Sequence, residues 1–142
     1  MESEFPGRFY VFRDEDEWSA WTERTDPVLH IELRRIAHVI CIAPLSANTL
    51  GKLANGLSDN LLTSVFRAWD FKAEKPAIVA PAMNTAMYEN PITGIQEAFL
   101  REKLKVHVLE TVEKLLICND KGKGAMAEVK TIVEAIQASL GE

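Results

Sequence analysis

The sequence holds 142 residues, which suits one domain with a sizeable core. It is 47% hydrophobic and 26% charged, and 21 acidic against 16 basic residues leave a net charge of -5. An acidic chain without a basic stripe is a poor partner for nucleic acid, and no apolar run approaches the ~18 residues of a membrane span.

In chain order, the apolar run "RFYVF" near 8–12 predicts a first strand. "DEDEWSAWTER" predicts a helix, with acids in its first turn and a basic end to match its dipole. In "DPVLHIELRR" a helix would give Leu29, Leu33 and Ile36 one apolar face, with His30 and Arg34 on an adjoining one. "HVICIAP" near 38–44 and "KPAIVAP" near 75–81 are almost continuously apolar, as strands covered on both faces are. Between them, "SDNLLTSVFRAWD" places Leu61, Leu62, Val65, Phe66 and Trp69 at helical spacing behind a Ser58 cap. "ITGIQEAFLREKL" and "AEVKTIVEAIQASL" read as further helices, and "KVHVL" near 105–109 and "KLLIC" at 114–118 as strands. "CNDKGKGAM" at 118–126, with two glycines among polar residues, predicts a mobile surface loop. Strand–helix alternation argues for one α/β domain over residues 1–142 with a parallel sheet.

The N-terminus has no basic region followed by an apolar core, so no secretory signal is expected. Cys41 and Cys118 stand far apart, and three histidines form no cluster with them, so neither a disulfide framework nor a metal site is expected. A reducing, cytoplasmic setting fits.

Ligand sites in open parallel sheets lie at the carboxyl ends of strands. Two such ends are chemically unusual here. After Pro44, the polar residues Ser46, Asn48 and Thr49 precede an apolar helical run. They either cap a helix alone or offer its N-terminus to a phosphate or the polar edge of a cofactor. After Pro81, Asn84 can both donate and accept, and Met83 and Met87 either line an apolar pocket or fill the core. His30 can serve as acid or base near neutral pH, or sit at the surface without a role. Cys41, between Ile40 and Ile42, reads as a buried small hydrophobe; Cys118 opens the Gly-containing loop.

Four stretches, "DPVLHIELRR", "APLSANTLGKLANGLSDNLLTSVFRAWD", "PAMNTAMYENPIT" and "CNDKGKGAMAE", in this order and spacing, resemble the homo-oligomeric flavin-containing cysteine decarboxylases. Within them the likeness is to the phosphopantothenoylcysteine decarboxylase branch, and it runs from about residue 9 to the C-terminus. The resemblance implies a Rossmann-like (flavodoxin-like) three-layer fold. It also implies an FMN cofactor, 4'-phosphopantothenoylcysteine as substrate and a homotrimer. By the same resemblance His30 is the active-site histidine. Ser46, Ala47, Asn48 and Thr49 hold the flavin, and Ala82 sits beside it. Asn84 binds the substrate carboxylate, Met87 packs in the same pocket, and Cys118 protonates the last intermediate from a flap. Such groups suit the chemistry. A cysteine carboxylate lacks an electron sink until its thiol is oxidised, so the protein must supply a carboxylate holder, a base and a late acid.

The family pattern begins with a strand, a Gly/Ser loop and a helix that the 142 residues do not contain. The expectation is an N-terminally truncated fold with weak or absent FMN binding by this chain alone, the alternative being a shortened form that does not bind flavin. Tyr88 stands where the family usually has Trp, and Asn119 where it usually has Gly; Asn tolerates a positive φ best among the other residues. Two further readings remain: a regulatory relative of the protein phosphatase inhibitory type, and a decarboxylase of C-terminal peptide cysteines. Retention of His30 and Cys118 argues against the first, and the Cys118 flap against the second.

Overall fold

The structure is a computed structural model that describes residues 7–19, 28–115 and 121–141. Helix α1 (Asp14–Ser19) and helix α2 (Leu29–Ile36) precede strand β1 (Ile40–Leu45). Helices α3 (Ala47–Asn55) and α4 (Leu61–Arg67) lead to β2 (Ala77–Pro81). The short α5 (Thr85–Tyr88) and longer α6 (Pro91–Leu104) lead to β3 (His107–Val108). An antiparallel hairpin of β4 (Val112–Leu115) and β5 (Lys121–Ala125) follows, then α7 (Val129–Ser139).

Strands β1, β2 and β3 pair in that order, all parallel. Alternate residues point to opposite faces. Ile40, Ile42, Ala77 and Val79 therefore join one cluster with Leu50, Leu53, Leu61, Phe66, Trp69 and Leu100. Ile78 and Ala80 face the other way, onto Leu109, Ala127 and Ile132. Helices thus cover both faces, which is why β1 and β2 read as unbroken apolar runs. The arrangement is the parallel α/β class that the alternation predicted, in the three-layer, flavodoxin-like form that the resemblance implies. Leu45, Leu50 and Leu100 are fully buried, and truncating such a leucine to alanine costs about 2–5 kcal/mol.

Four expectations are corrected. Residues 8–12 form no strand; Phe9, Tyr10 and Val11 stand exposed, because an extended run needs a ladder partner and no described strand pairs with this one. Part of the expected glycine loop is strand β5, paired through Val112–Ala125 and Lys114–Gly122. The cap of α4 is Asn60, not Ser58: Asn60 Oδ1 accepts from Thr63 N at 2.9 Å, and Thr63 Oγ1 accepts in return from Asn60 N at 3.2 Å. Ile36 lies exposed at the end of α2, while Leu29 and Leu33 pack on the core.

Candidate functional site

The carboxyl ends of β1 and β2 are fastened side by side. Ala82 N donates to Leu45 O at 2.9 Å, one step beyond the strand ladder. From Leu45 the chain turns directly into α3, whose cap is Ser46. Thr49 N donates to Ser46 Oγ at 3.1 Å, and Ser46 Oγ donates to Thr49 Oγ1 at 3.1 Å. Leu50 N reaches back to Ser46 O at 2.8 Å. Helix geometry leaves the first-turn N–H groups of Ala47 and Asn48 without an intrahelical acceptor. With the helix dipole behind them, they form a donor pair suited to a polar or anionic group.

From Ala82 the chain passes through Met83, which packs on the core, to Asn84 at the cap position of α5. The Asn84 side chain is exposed and does not cap that helix, so its amide is available at the strand end. Met87 is 49% exposed, on the rim of a cavity of about 450 Å³ lined also by Ala47, Asn48, Gly51, Asn90 and Gln96. Buried Thr93 fixes that rim, because its hydroxyl donates to Met87 O at 2.8 Å. Ser46, Ala47, Asn48, Thr49, Ala82, Asn84 and Met87 therefore share one edge of the sheet.

Strand β5 docks on the same edge. Met83 N donates to Gly124 O at 2.9 Å. Gly124 has a φ of 120°, and a Cβ there would stand 2.4 Å from Met83 O. Only glycine permits this approach. The contact joins residues 41 positions apart, and nothing in the spacing of "CNDKGKGAM" marks which glycine makes it. Cys118 itself lies outside the described residues.

His30 occupies a different corner. It lines a cavity of about 490 Å³ with Glu17, Trp18, Val28, Ser58, Asn60 and Leu61, and this cavity shares no residue with the other. The His30 Nδ1 hydrogen-bonds to Glu17 Oε1, and His30 N donates to Glu17 Oε2 at 3.1 Å. Asp14, three residues before Glu17, accepts from Leu61 N at 2.9 Å, in the first turn of α4. The acidic turn of α1 was expected to serve its own dipole; two of its acids instead cap other helices.

The far end of α2 is held by Lys75, whose ammonium donates to Arg34 O at 2.8 Å and to Ala37 O at 2.9 Å while lying over the Trp69 ring. Arg34 donates to Ala68 O at 2.8 Å and pairs with Asp70 at 3.1 Å. Both contacts tie α2 to the segment that follows α4. Cys41 is half-buried against the second cluster, and burial pushes its thiol up from the ordinary value. Among the described residues no group of three His, Cys, Asp or Glu side chains could hold a metal, and no helix is long and apolar enough to cross a membrane.

Residues 4–141 match the Flavoprotein family. The chain is 54% identical over 132 residues to a phosphopantothenoylcysteine decarboxylase of Mus musculus, covering 93% of this chain and 63% of that protein. It is 52% identical over 132 residues to the decarboxylase of the same name from Arabidopsis thaliana, covering 93% and 62%. The chain thus spans less than two thirds of the length of these relatives. Among solved structures, it is similar to a PPC decarboxylase variant complexed with pantothenoylaminoethenethiol, with a TM-score of 0.85 and 51% identity over 92% of this chain and 70% of that one. It is also similar to the FMN binding protein AtHal3, with a TM-score of 0.81 and 54% identity over 89% and 67%.

Proposed function

This chain belongs to the flavoprotein family, and from that premise we propose that it takes part in FMN-dependent decarboxylation of 4'-phosphopantothenoylcysteine to 4'-phosphopantetheine, as a cytoplasmic homotrimer. The observation that carries this reading is the convergence of three separated stretches on one sheet edge: the α3 N-terminus, the Ala82–Asn84 turn and the docked Gly124.

The donor set fits a flavin mononucleotide. Two free first-turn N–H groups beside Ser46 and Thr49 suit its polar edge, and Ala82 is small enough to let a flat ring approach. Bound FMN supplies the two-electron acceptor and donor that turn a cysteine thiol into an electron sink. The protein residues do the rest. The Asn84 amide donates to the substrate carboxylate and orients it. The Met87 thioether covers the apolar side of the pocket and keeps water from the carboxylate as it departs. His30 takes the thiol proton, and Cys118 returns a proton at the end.

What supports an assembly of copies, the proposed trimer among them, is a separation within one copy. His30 faces a cavity beside residues 58–61, beyond the C-terminus of α3, whereas the Ser46 cap lies at its N-terminus. The nine residues of α3 span about 14 Å at 1.5 Å per residue. A second copy that sets its His30 corner against the first copy's strand ends would unite the groups.

The test is carbon dioxide release from 4'-phosphopantothenoylcysteine by the purified full-length gene product in excess FMN, with flavin fluorescence and sedimentation followed in parallel. Release that disappears in Asn84→Ala supports the assignment. Neither release nor flavin quenching at any protein concentration would overturn it. A trimer that quenches flavin but releases no carbon dioxide would favour the regulatory reading.

A further inference from the structure

We propose that Glu17 is the positioning residue for His30, and that it holds the imidazole in the tautomer with its proton on Nδ1. The inference rests on the reading of His30 as the base, but its first test does not.

Helix α2 begins without a side-chain cap of its own, because Val28 stands at the cap position and has nothing to offer. His30 N lies in the uncapped first turn, one of the donors that helix geometry leaves without a partner. Glu17 supplies the acceptor from another helix, 13 positions earlier: Oε2 takes His30 N at 3.1 Å, and Oε1 takes the ring Nδ1. One carboxylate therefore grips both the backbone and the side chain of the same residue. A single bond to the ring would leave it free to pivot about the side-chain torsions. The second bond ties the carboxylate to the His30 backbone, so the ring direction is fixed relative to α2.

The chemistry of the pair sets the proton. An ionised carboxylate only accepts, so the ring nitrogen facing it must donate. The neutral imidazole then carries its proton on Nδ1 and its lone pair on Nε2, as when a carboxylate fixes the tautomer of a metal-binding or catalytic histidine. The Glu17 side chain is 13% exposed and that of His30 27%, so water competes weakly for the bond. Among the described residues, the other charged groups around the ring are already engaged. Asp14 accepts from Leu61 N, Asp59 pairs with Lys52 at 2.9 Å, and Arg34, one turn on in α2, is held by Ala68 O and Asp70. The facing groups of α4 and its cap, Asn60 and Ser64, are uncharged. Among the described residues, Glu17 is the carboxylate that meets the ring. Anchoring α1 through Asp14 to the start of α4 holds Glu17 in reach of it.

The test reads nitrogen chemical shifts of the three histidines in the 15N-labelled protein at a pH where His30 is neutral. His30 is expected as the Nδ1–H tautomer. Glu17→Gln keeps a carbonyl acceptor and should retain it. Glu17→Ala should release the ring to the Nε2–H form that unrestrained imidazoles favour. A wild-type His30 already in the Nε2–H form overturns the proposal without any variant, so a Glu17→Ala protein that fails to fold does not rescue it. An unchanged Nδ1–H tautomer in a folded Glu17→Ala protein also overturns it. In the decarboxylation assay Glu17→Ala should lower kcat on the order of 10²-fold with little change in KM, the low end of what positioned acid–base groups contribute. Absence of any turnover in the wild type would sink the reading of the reaction and leave the tautomer result standing.

Discussion

The two corners of this molecule that carry the candidate site residues are held together in opposite ways. At the carboxyl ends of β1 and β2 the fastening is backbone to backbone: Ala82 N to Leu45 O and Met83 N to Gly124 O, both at 2.9 Å. At the His30 corner it is side chain to backbone: Glu17 to His30 N, Asp14 to Leu61 N, and Lys75 to the carbonyls at the end of α2. A backbone joint tolerates most side chains and fails when an added atom blocks the approach. A side-chain joint fails when its polar atom is removed, even though the replacement fits. The difference teaches which substitution to try where.

The largest effect is expected from an added atom at the backbone joint. Gly124→Ala places a methyl group 2.4 Å from Met83 O at a φ of 120°. Strain at such a backbone position is on the order of 1–3 kcal/mol, and displacing β5 adds to it. Urea denaturation should show a loss of at least about 2 kcal/mol, and hydrogen exchange should show the amide of Met83 losing protection before those of β2. A loss within about 0.5 kcal/mol would mean that the β5 contact is not what closes this edge.

At the other corner, removal of the Lys75 ammonium is the sharper cut. Lys75→Met keeps the stem over Trp69 but strips the donor from Arg34 O and Ala37 O. Hydrogen bonds from charged groups contribute about 1.5–3 kcal/mol, and Lys75 is only partly buried, so a loss near the lower figure is expected. Asn60→Ala follows at about 1 kcal/mol, the usual cost of a lost N-cap. If Lys75→Met proves neutral while Gly124→Ala unfolds the chain, the His30 corner is held by α1 rather than by the end of α2.

The same contrast explains what the sequence made legible. β1, β2, α3 and α6 are visible because their signals are local: unbroken apolar runs, Ser46 directly before an apolar helical run, and the helical run "ITGIQEAFLREKL" of α6. Asn84 and Met87 stood out as candidates because they follow a strand end, and their proposed roles came from the resemblance. Glu17, Asp14 and Lys75 were not, because their partners are 13, 47 and about 40 positions away and any acid or lysine nearby would read the same. The failed strand at 8–12 has the same cause. Its side chains fit a sheet, but a ladder is a property of two segments, and a single run does not disclose its partner. Ser58 misled because Asn60, two residues on, forms a reciprocal pair with Thr63 that a single-residue cap signal does not distinguish.

The smallest effect concerns Glu97 on α6, the helix that carries Thr93 and Gln96 on the cavity wall of the strand-end corner. Glu97 is buried, at 6% exposure, and burial raises its carboxyl above the ordinary 4.5, against the opposing pull of Arg101 at 3.5 Å. Below 4.5 the group is protonated in both the folded and unfolded states and has no effect on the pH dependence. As pH rises past 4.5 the unfolded chain ionises first, so the folded state loses stability until the pH passes the raised folded value, and stays level above it. Glu97→Gln removes that slope. The stability of Glu97→Gln minus that of the parent should therefore grow from pH 4.5 upward and then plateau, whatever its absolute sign, which the lost attraction to Arg101 also affects. A difference that stays flat with pH, or shrinks, would place the Arg101 attraction above the burial cost. The wall of the strand-end corner would then be held by a charged side-chain pair, and the division between a backbone-fastened corner and a side-chain-fastened one would lose its clean edge at α6.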